Sequence, residues 1–230
     1  MNMSQYVSVA IDGPAGAGKS TMAKRVAKDL GYVYVDTGAI YRTIGYHVAL
    51  HGIGPKDIDG VTRLIDDVNI EIAYGEDGSQ RMILNGTDVT DELRTPQMSD
   101  YASKISTMKI VRDLLLDLQR DMAKKHNVIM DGRDIGTVVL PQADVKIFLT
   151  ASAEVRAQRR LDELLAKGEK KITLQSILAD IRERDHRDMT RPVAPLKQAS
   201  DAVALDTSDL SIEQSVAAIK EIIEKRLGSC

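Results

Sequence analysis

The chain has 230 residues, with 31 Lys and Arg against 34 Asp and Glu and a formal net charge of -3. That length holds one substantial core with inserted pieces, and the mildly acidic balance argues against a surface built for nucleic acid, which needs clustered cationic excess. The single cysteine, Cys230, excludes an intramolecular disulfide and a cysteine metal site, and with no secretory leader pattern and no apolar run approaching about 18 residues, the expectation is a soluble, cytoplasmic protein without a membrane partner.

The apolar run Tyr6 to Ile11 predicts a strand, and it leads directly into Gly13-Pro14-Ala15-Gly16-Ala17-Gly18-Lys19-Ser20, a full match to the phosphate-loop pattern. A strand that ends in such a loop and opens into a helix aims several backbone N–H groups and a helix dipole at one anion. Lys19 adds a mobile positive charge for the outer phosphates, and Ser20 offers a hydroxyl to Mg²⁺. Met22, Val26 and Leu30 predict the helix, with Gly31 closing it in a left-handed turn. A second strand follows over Tyr32 to Val35. Further strands are expected at Val128 to Met130, Val145 to Leu149 and Ala202 to Leu205, alternating with helical patterns, so the five together predict a buried parallel sheet. Val111, Leu114, Leu115, Leu118 and Met122 form the core stripe of a helix over Met108 to His126. Ser211 and Gln214 form a capping box ahead of another stripe, Ile212, Val216, Ile219, Ile223 and Leu227.

Two stretches break this rhythm. Val68 to Ile72 alternates strictly, Gly75 to Ser79 turns and Arg81 to Leu84 returns, which predicts a small antiparallel hairpin insertion. Thr95 as cap and Pro96 in the first helical position then start a helix through Ile105. The second stretch, Ala153 to Arg191, is helical and crowded with charge, including Lys167 to Lys171 and the arginines 156, 159, 160, 182, 184, 187 and 191. It reads equally as a solvated helical hairpin or as a lid closing on polyphosphate.

A switch GTPase would carry a guanine-reading Asn-Lys-x-Asp segment after a strand, and none is present; a large ATPase would need more chain. A small-molecule kinase remains. Three further segments stand at strand ends or close the second insertion: Asp36-Thr37-Gly38-Ala39-Ile40-Tyr41-Arg42, Asp131-Gly132-Arg133-Asp134-Ile135-Gly136-Thr137, and Arg184 to Arg191 followed by Pro192-Val193-Ala194-Pro195-Leu196. The carboxyl edge of an open α/β sheet is where ligands bind. With the phosphate loop, these motifs recur in the order and at the intervals of bacterial cytidylate kinases, which the chain resembles essentially end to end.

The resemblance implies a P-loop α/β fold with a five-stranded parallel sheet, helices on both faces, an antiparallel insertion and a helical lid. It implies a core of residues 1–38, 106–152 and 192–230, a monophosphate-binding part over 39–105 and a lid over 153–191. The implied reaction transfers phosphate from ATP to CMP or dCMP, with Mg²⁺, in a monomer. ATP would be held by residues Gly13 through Ser20, with Thr21, Arg156 and Arg160; Arg156 and Arg160 lie one helical turn apart and read as well as a solvated face. Arg42 and Arg133 match the arginines that grip the acceptor phosphate; Ser103, Arg112 and Asp134 match those that read the base; Arg184 and Asp188 lie near the sugar, and Arg191 is a further substrate arginine. Thr37 stands where the family usually has serine, and the hydroxyl is kept. Lys19, Arg133, Arg184 and Arg191 would serve catalysis.

Charge neutralisation by bidentate arginines suits two polyanions, and an acceptor phosphate that is already ionised needs no general base. Asp36 and Asp131 read either as orienting groups for metal-bound water or the loop, or as structural. His47, His51, His126 and His186 lack ligand spacing. Tyr41 reads as packing. A kinase preferring UMP, AMP or another small metabolite, or a regulator that uses ATP as a signal, are the alternatives.

Overall fold

The computed structural model describes residues 6–66, 68–169 and 171–228, so Cys230 lies outside the described residues. Val9, Ala10 and Ile11 are fully buried in β1 (Ser8–Asp12) and alternate between two apolar layers. Val9 and Ile11 join Met22, Val26, Ile219 and Ile223, whereas Ala10 joins Ile40, Ile44, Val111 and Leu115. A strand covered on both faces has no polar side to show, which is why Val9, Ala10 and Ile11 follow one another with no polar residue between them.

β1 lies between β6 (Val128–Gly132) and β7 (Val145–Thr150), and β2 (Val33–Asp36) and β8 (Val203–Asp206) complete a five-stranded parallel sheet in the order β2-β6-β1-β7-β8. Helices α1 (Lys19–Leu30) and α8 (Ile212–Leu227) cover one face; α2 (Thr37–Leu50) and α5 (Lys109–Lys125) cover the other. The chain adds β2 and β6 on one side of β1 and β7 and β8 on the other. Loops diverge at the carboxyl end of β1 and open a crevice there.

Local signals set most element ends. Gly18 (φ 84°) and Gly31 (φ 67°) bracket α1 in left-handed conformations. Tyr32, expected to begin the second strand, instead donates its N–H to the Ala27 carbonyl as the helix closes, and the strand begins at Val33. Thr95 caps α4 (Pro96–Ile105) through the Met98 N–H, and the Ser211–Gln214 capping box starts α8. Two positions expected in the core turn outward: Leu114 is 39% exposed and Ile212 is 44% exposed. The buried stripe of α5 is therefore narrower than its apolar periodicity, and Ile212 stands in the first turn of its helix at the crevice rim.

The antiparallel insertion contains the expected hairpin, β3 (Ile70–Tyr74) and β4 (Gln80–Leu84), preceded by helix α3 (Ile58–Ile65). A third strand, β5 (Thr87–Asp88), pairs with β4; two residues carry no periodicity from which to read it. The insertion is anchored to β2, where the Tyr74 hydroxyl donates to the Tyr34 carbonyl and Gln80 accepts from the Asp36 N–H. Farther along, α6 (Ala153–Ala166) and α7 (Leu174–Thr190) form a helical pair over their own small cluster of Ala157, Ile177 and Ile181.

Candidate active site

The phosphate loop leaves β1 through Gly13, at φ 153°, where a Cβ would lie 1.9 Å from the Leu149 carbonyl oxygen in β7. Only glycine allows this approach. Lys19 is 5% exposed and donates to the Pro14 carbonyl at 2.7 Å, across the loop's own mouth. Burial, reinforced by the nearby Arg133, lowers its ammonium to about 7. Ser20 donates from Oγ to Asp131 Oδ2 at 2.9 Å, and the Tyr34 hydroxyl donates to Asp131 Oδ1 at 2.8 Å. Burial raises the Asp131 carboxyl, and Asp36 beside it adds to the shift.

On the other side of the crevice, Asp36 caps α2 through the Ala39 N–H and pairs with Arg42 at 2.9 Å. Arg133 donates from Nε to Asp188 at 2.9 Å. Burial would raise the Asp188 carboxyl, but Arg133 and Arg184 outweigh it and hold it below the usual range. Arg184 is lowered to about 10 by burial, then by Arg133, with Arg42 also contributing. The Nε atoms of Arg42 and Arg184 are buried without a hydrogen-bond partner among the described residues. Such donors call for an acceptor. Asp134 is held between Arg112 and Arg191, the latter at 3.3 Å, and Arg112 also lies over the Tyr41 ring, 5.8 Å from its centroid. Ser103 accepts from Arg187 through Oγ at 3.2 Å, and Thr37 donates from its hydroxyl to the Asp131 carbonyl.

Thr37, Arg42, Ser103, Arg112, Arg133, Asp134, Arg184, Asp188 and Arg191 all line one cavity of about 800 Å³, together with Lys19, Ser20, Thr21, Arg156 and Arg160. Arg133 and Asp134 do not pair with each other, and Asp185 and Asp188 pair away from their own helix rather than along it. Arg156 is nearly saturated by protein: Nε donates to Ala151, Nη1 to the Ala15 carbonyl and to Asp185, and Nη2 to Asp185 at 2.6 Å. Arg160 is more open and pairs with Glu163 at 2.7 Å. Asp185 takes its partner from α6, which the spacing of charges on α7 does not reveal, whereas Arg187 pairs along its own helix with Glu183 at 2.8 Å and also donates to Ser103 at 3.2 Å. Among the described residues, no group of His, Cys, Asp or Glu side chains could hold a metal by itself, and no helix is long and apolar enough to cross a membrane.

The cytidylate kinase family model matches residues 9–225. A cytidylate kinase from Caldicellulosiruptor saccharolyticus is 47% identical over 223 residues, covering 97% of this chain and 98% of that protein. One from Carboxydothermus hydrogenoformans is 48% identical over 218 residues, covering 95% and 97%. A solved structure of an uncharacterized protein from Eubacterium ventriosum superposes with a TM-score of 0.53 at 10% identity, covering 95% of this chain and 98% of that one, a likeness of fold alone. The phosphate loop, the arginine-lined crevice and relatives matched over nearly their whole length lead to one conclusion: the chain belongs to the cytidylate kinase family of enzymes.

Proposed function

We propose that the enzyme transfers the γ-phosphoryl group of ATP to CMP or dCMP, giving ADP and CDP or dCDP. The observation that carries this reading is the facing of Lys19 by Arg42, Arg133 and Arg184 across one cavity, with two buried Nε donors lacking any partner among the described residues. Two polyanions brought together there would supply the missing acceptors and offset the repulsion among the cations.

An acceptor phosphate oxygen attacks the γ-phosphorus as the bond from that phosphorus to the β,γ-bridging oxygen breaks, and the pair leaves on ADP. No proton has to be removed from the acceptor, so the site needs no general base. The backbone N–H groups of the loop and Lys19 hold the ATP phosphates; Arg42 and Arg133 hold the acceptor phosphate, with Arg184 beside them near the sugar; Arg160 faces the donor side from α6. Catalysis is then positioning plus charge stabilisation. Asp134 takes the cytosine amino group as an acceptor, with Ser103 and Arg112 along the same edge, and Asp188 faces the sugar. The Ser20 hydroxyl and the buried Asp131 carboxylate are hard oxygen donors that suit Mg²⁺, and a cation there would relieve the burial of Asp131. When bound, the ion neutralises charge on the transferring phosphates.

In this reading residues 1–38, 106–152 and 192–230 form the core, 39–105 the monophosphate-binding part and 153–191 a lid, in a cytoplasmic monomer. A coupled assay with ATP and a panel of CMP, dCMP, UMP and AMP tests it. CMP and dCMP should give ADP at the highest kcat/KM. ATP binding with no acceptor-dependent ADP would make the protein a nucleotide-sensing regulator instead.

A further inference from the structure

β6 ends in Asp131-Gly132, and the chain then enters a short π-helical turn, Ile135–Val139, whose N-terminal cap position is Asp134. An aspartate there ordinarily turns its carboxylate onto the first free N–H groups of its own helix. Asp134 does not: its side chain makes no capping bond and faces Arg112 and Arg191 in the cavity. The cap comes from Asp12, at the end of β1, which is 5% exposed. Its Oδ1 accepts from the Ile135 N–H at 2.8 Å and its Oδ2 from the Gly136 N–H at 2.7 Å. At Gly136 the turn also packs closely on Lys146, whose side chain an added Cβ would meet at 3.1 Å.

We infer that Asp12 is a positioning residue for base recognition: by capping the turn after β6 from the neighbouring strand, it leaves the Asp134 carboxylate free to face the acceptor base. The inference rests on the reading of Asp134 as the base-reading carboxylate. Capping by a residue 123 positions away also fixes the turn to the strand that launches the phosphate loop, so the base reader and the phosphoryl donor share one frame. Without Asp12, two N–H groups at the start of the turn lose their acceptor, and Asp134 is the nearest carboxylate along the chain to replace it. That replacement would withdraw it from the cavity.

Asp12→Asn keeps the shape of the side chain but sets an amide N–H₂ against one backbone N–H. It should lower the CMP-to-UMP ratio of kcat/KM by about tenfold, because a base-reading acceptor is partly withdrawn. Asp12→Asn added to Asp134→Ala should lower the ratio no further. An Asp12→Asn enzyme with an unchanged ratio, or a double variant whose effects multiply, would overturn the positioning role. Asp134→Ala with an unchanged ratio would instead overturn the base-reading assignment beneath it. General loss of structure lowers kcat/KM for both nucleotides together and leaves their ratio alone. In the wild-type protein, a scalar coupling across the hydrogen bond should link the Ile135 or Gly136 amide nitrogen to the Asp12 carboxyl carbon. Coupling to the Asp134 carboxyl in its place would overturn the inference whether or not the variant folds.

Discussion

At the scale of single residues, Lys19 shows what burial does before substrate arrives. Held at the Pro14 carbonyl and 5% exposed, it is lowered to about 7 in the free protein. A depressed lysine contributes stability that is complete above its unfolded value of 10.5 and is lost as the pH falls through about 7. Phosphates bound beside it reverse the shift, so between those two values ATP binding should take up a proton. Titration calorimetry at about pH 8.5, repeated in buffers of different ionisation enthalpy, should show uptake approaching one proton per ATP. No dependence on the buffer would mean that Lys19 is already protonated before binding. Lys19→Ala should remove most turnover, because the lysine charge is needed to stabilise the transferring phosphates. Near-normal turnover would separate the loop from catalysis.

At the scale of elements, the helical pair α6–α7 is tied to the rest of the molecule by buried charge. Asp185 on α7 holds Arg156 on α6 in two hydrogen bonds, and Arg156 reaches on to the Ala15 carbonyl of the phosphate loop. Asp185→Ala should therefore lower kcat/KM for ATP by about tenfold or more, as expected for the loss of charge-assisted bonds, with a smaller effect on KM for CMP. Equal effects on both substrates would place the contact outside the donor site. The pair rests on its own cluster of Ala157, Ile177 and Ile181, so it can open without breaking the main core. Its amides should exchange faster in the free protein than with a bisubstrate analogue bound. Equal protection in the two states would make it a fixed hairpin.

The elements themselves were legible wherever the signal was local: the phosphate loop, the caps Thr95 and Ser211, and Gly31 at the end of α1 stand where the sequence predicts them. The partners of the charged residues were not. Arg184 through Asp188 have the spacing of ordinary helix pairs, yet Asp185 and Asp188 reach Arg156 and Arg133 from other elements. Asp12 carries no motif of its own as a cap, because its partners lie in a turn that only the pairing of β1 with β6 brings near.

At the scale of the whole molecule, the sheet core offers positions that lie away from the residues lining the cavity. Ile147 lies in β7 with 1% of its surface exposed, among Ile129, Leu149 and Ile223. Ile147→Ala should cost about 2–5 kcal/mol of stability by leaving a cavity in the core. Well below the melting transition, KM for both nucleotides should stay near the wild-type value; a large KM change would mean that the sheet transmits strain to the crevice. On the proposed function, this crevice selects cytosine through a carboxylate. A carboxylate accepts hydrogen bonds, cytosine presents an amino donor, and uracil presents a carbonyl oxygen at the same place. The direct test is the ratio of kcat/KM for CMP to that for UMP in Asp134→Ala against wild type. The ratio should fall by about tenfold to a hundredfold, the worth of an unmatched buried polar group; a ratio that does not change contradicts base selection by Asp134.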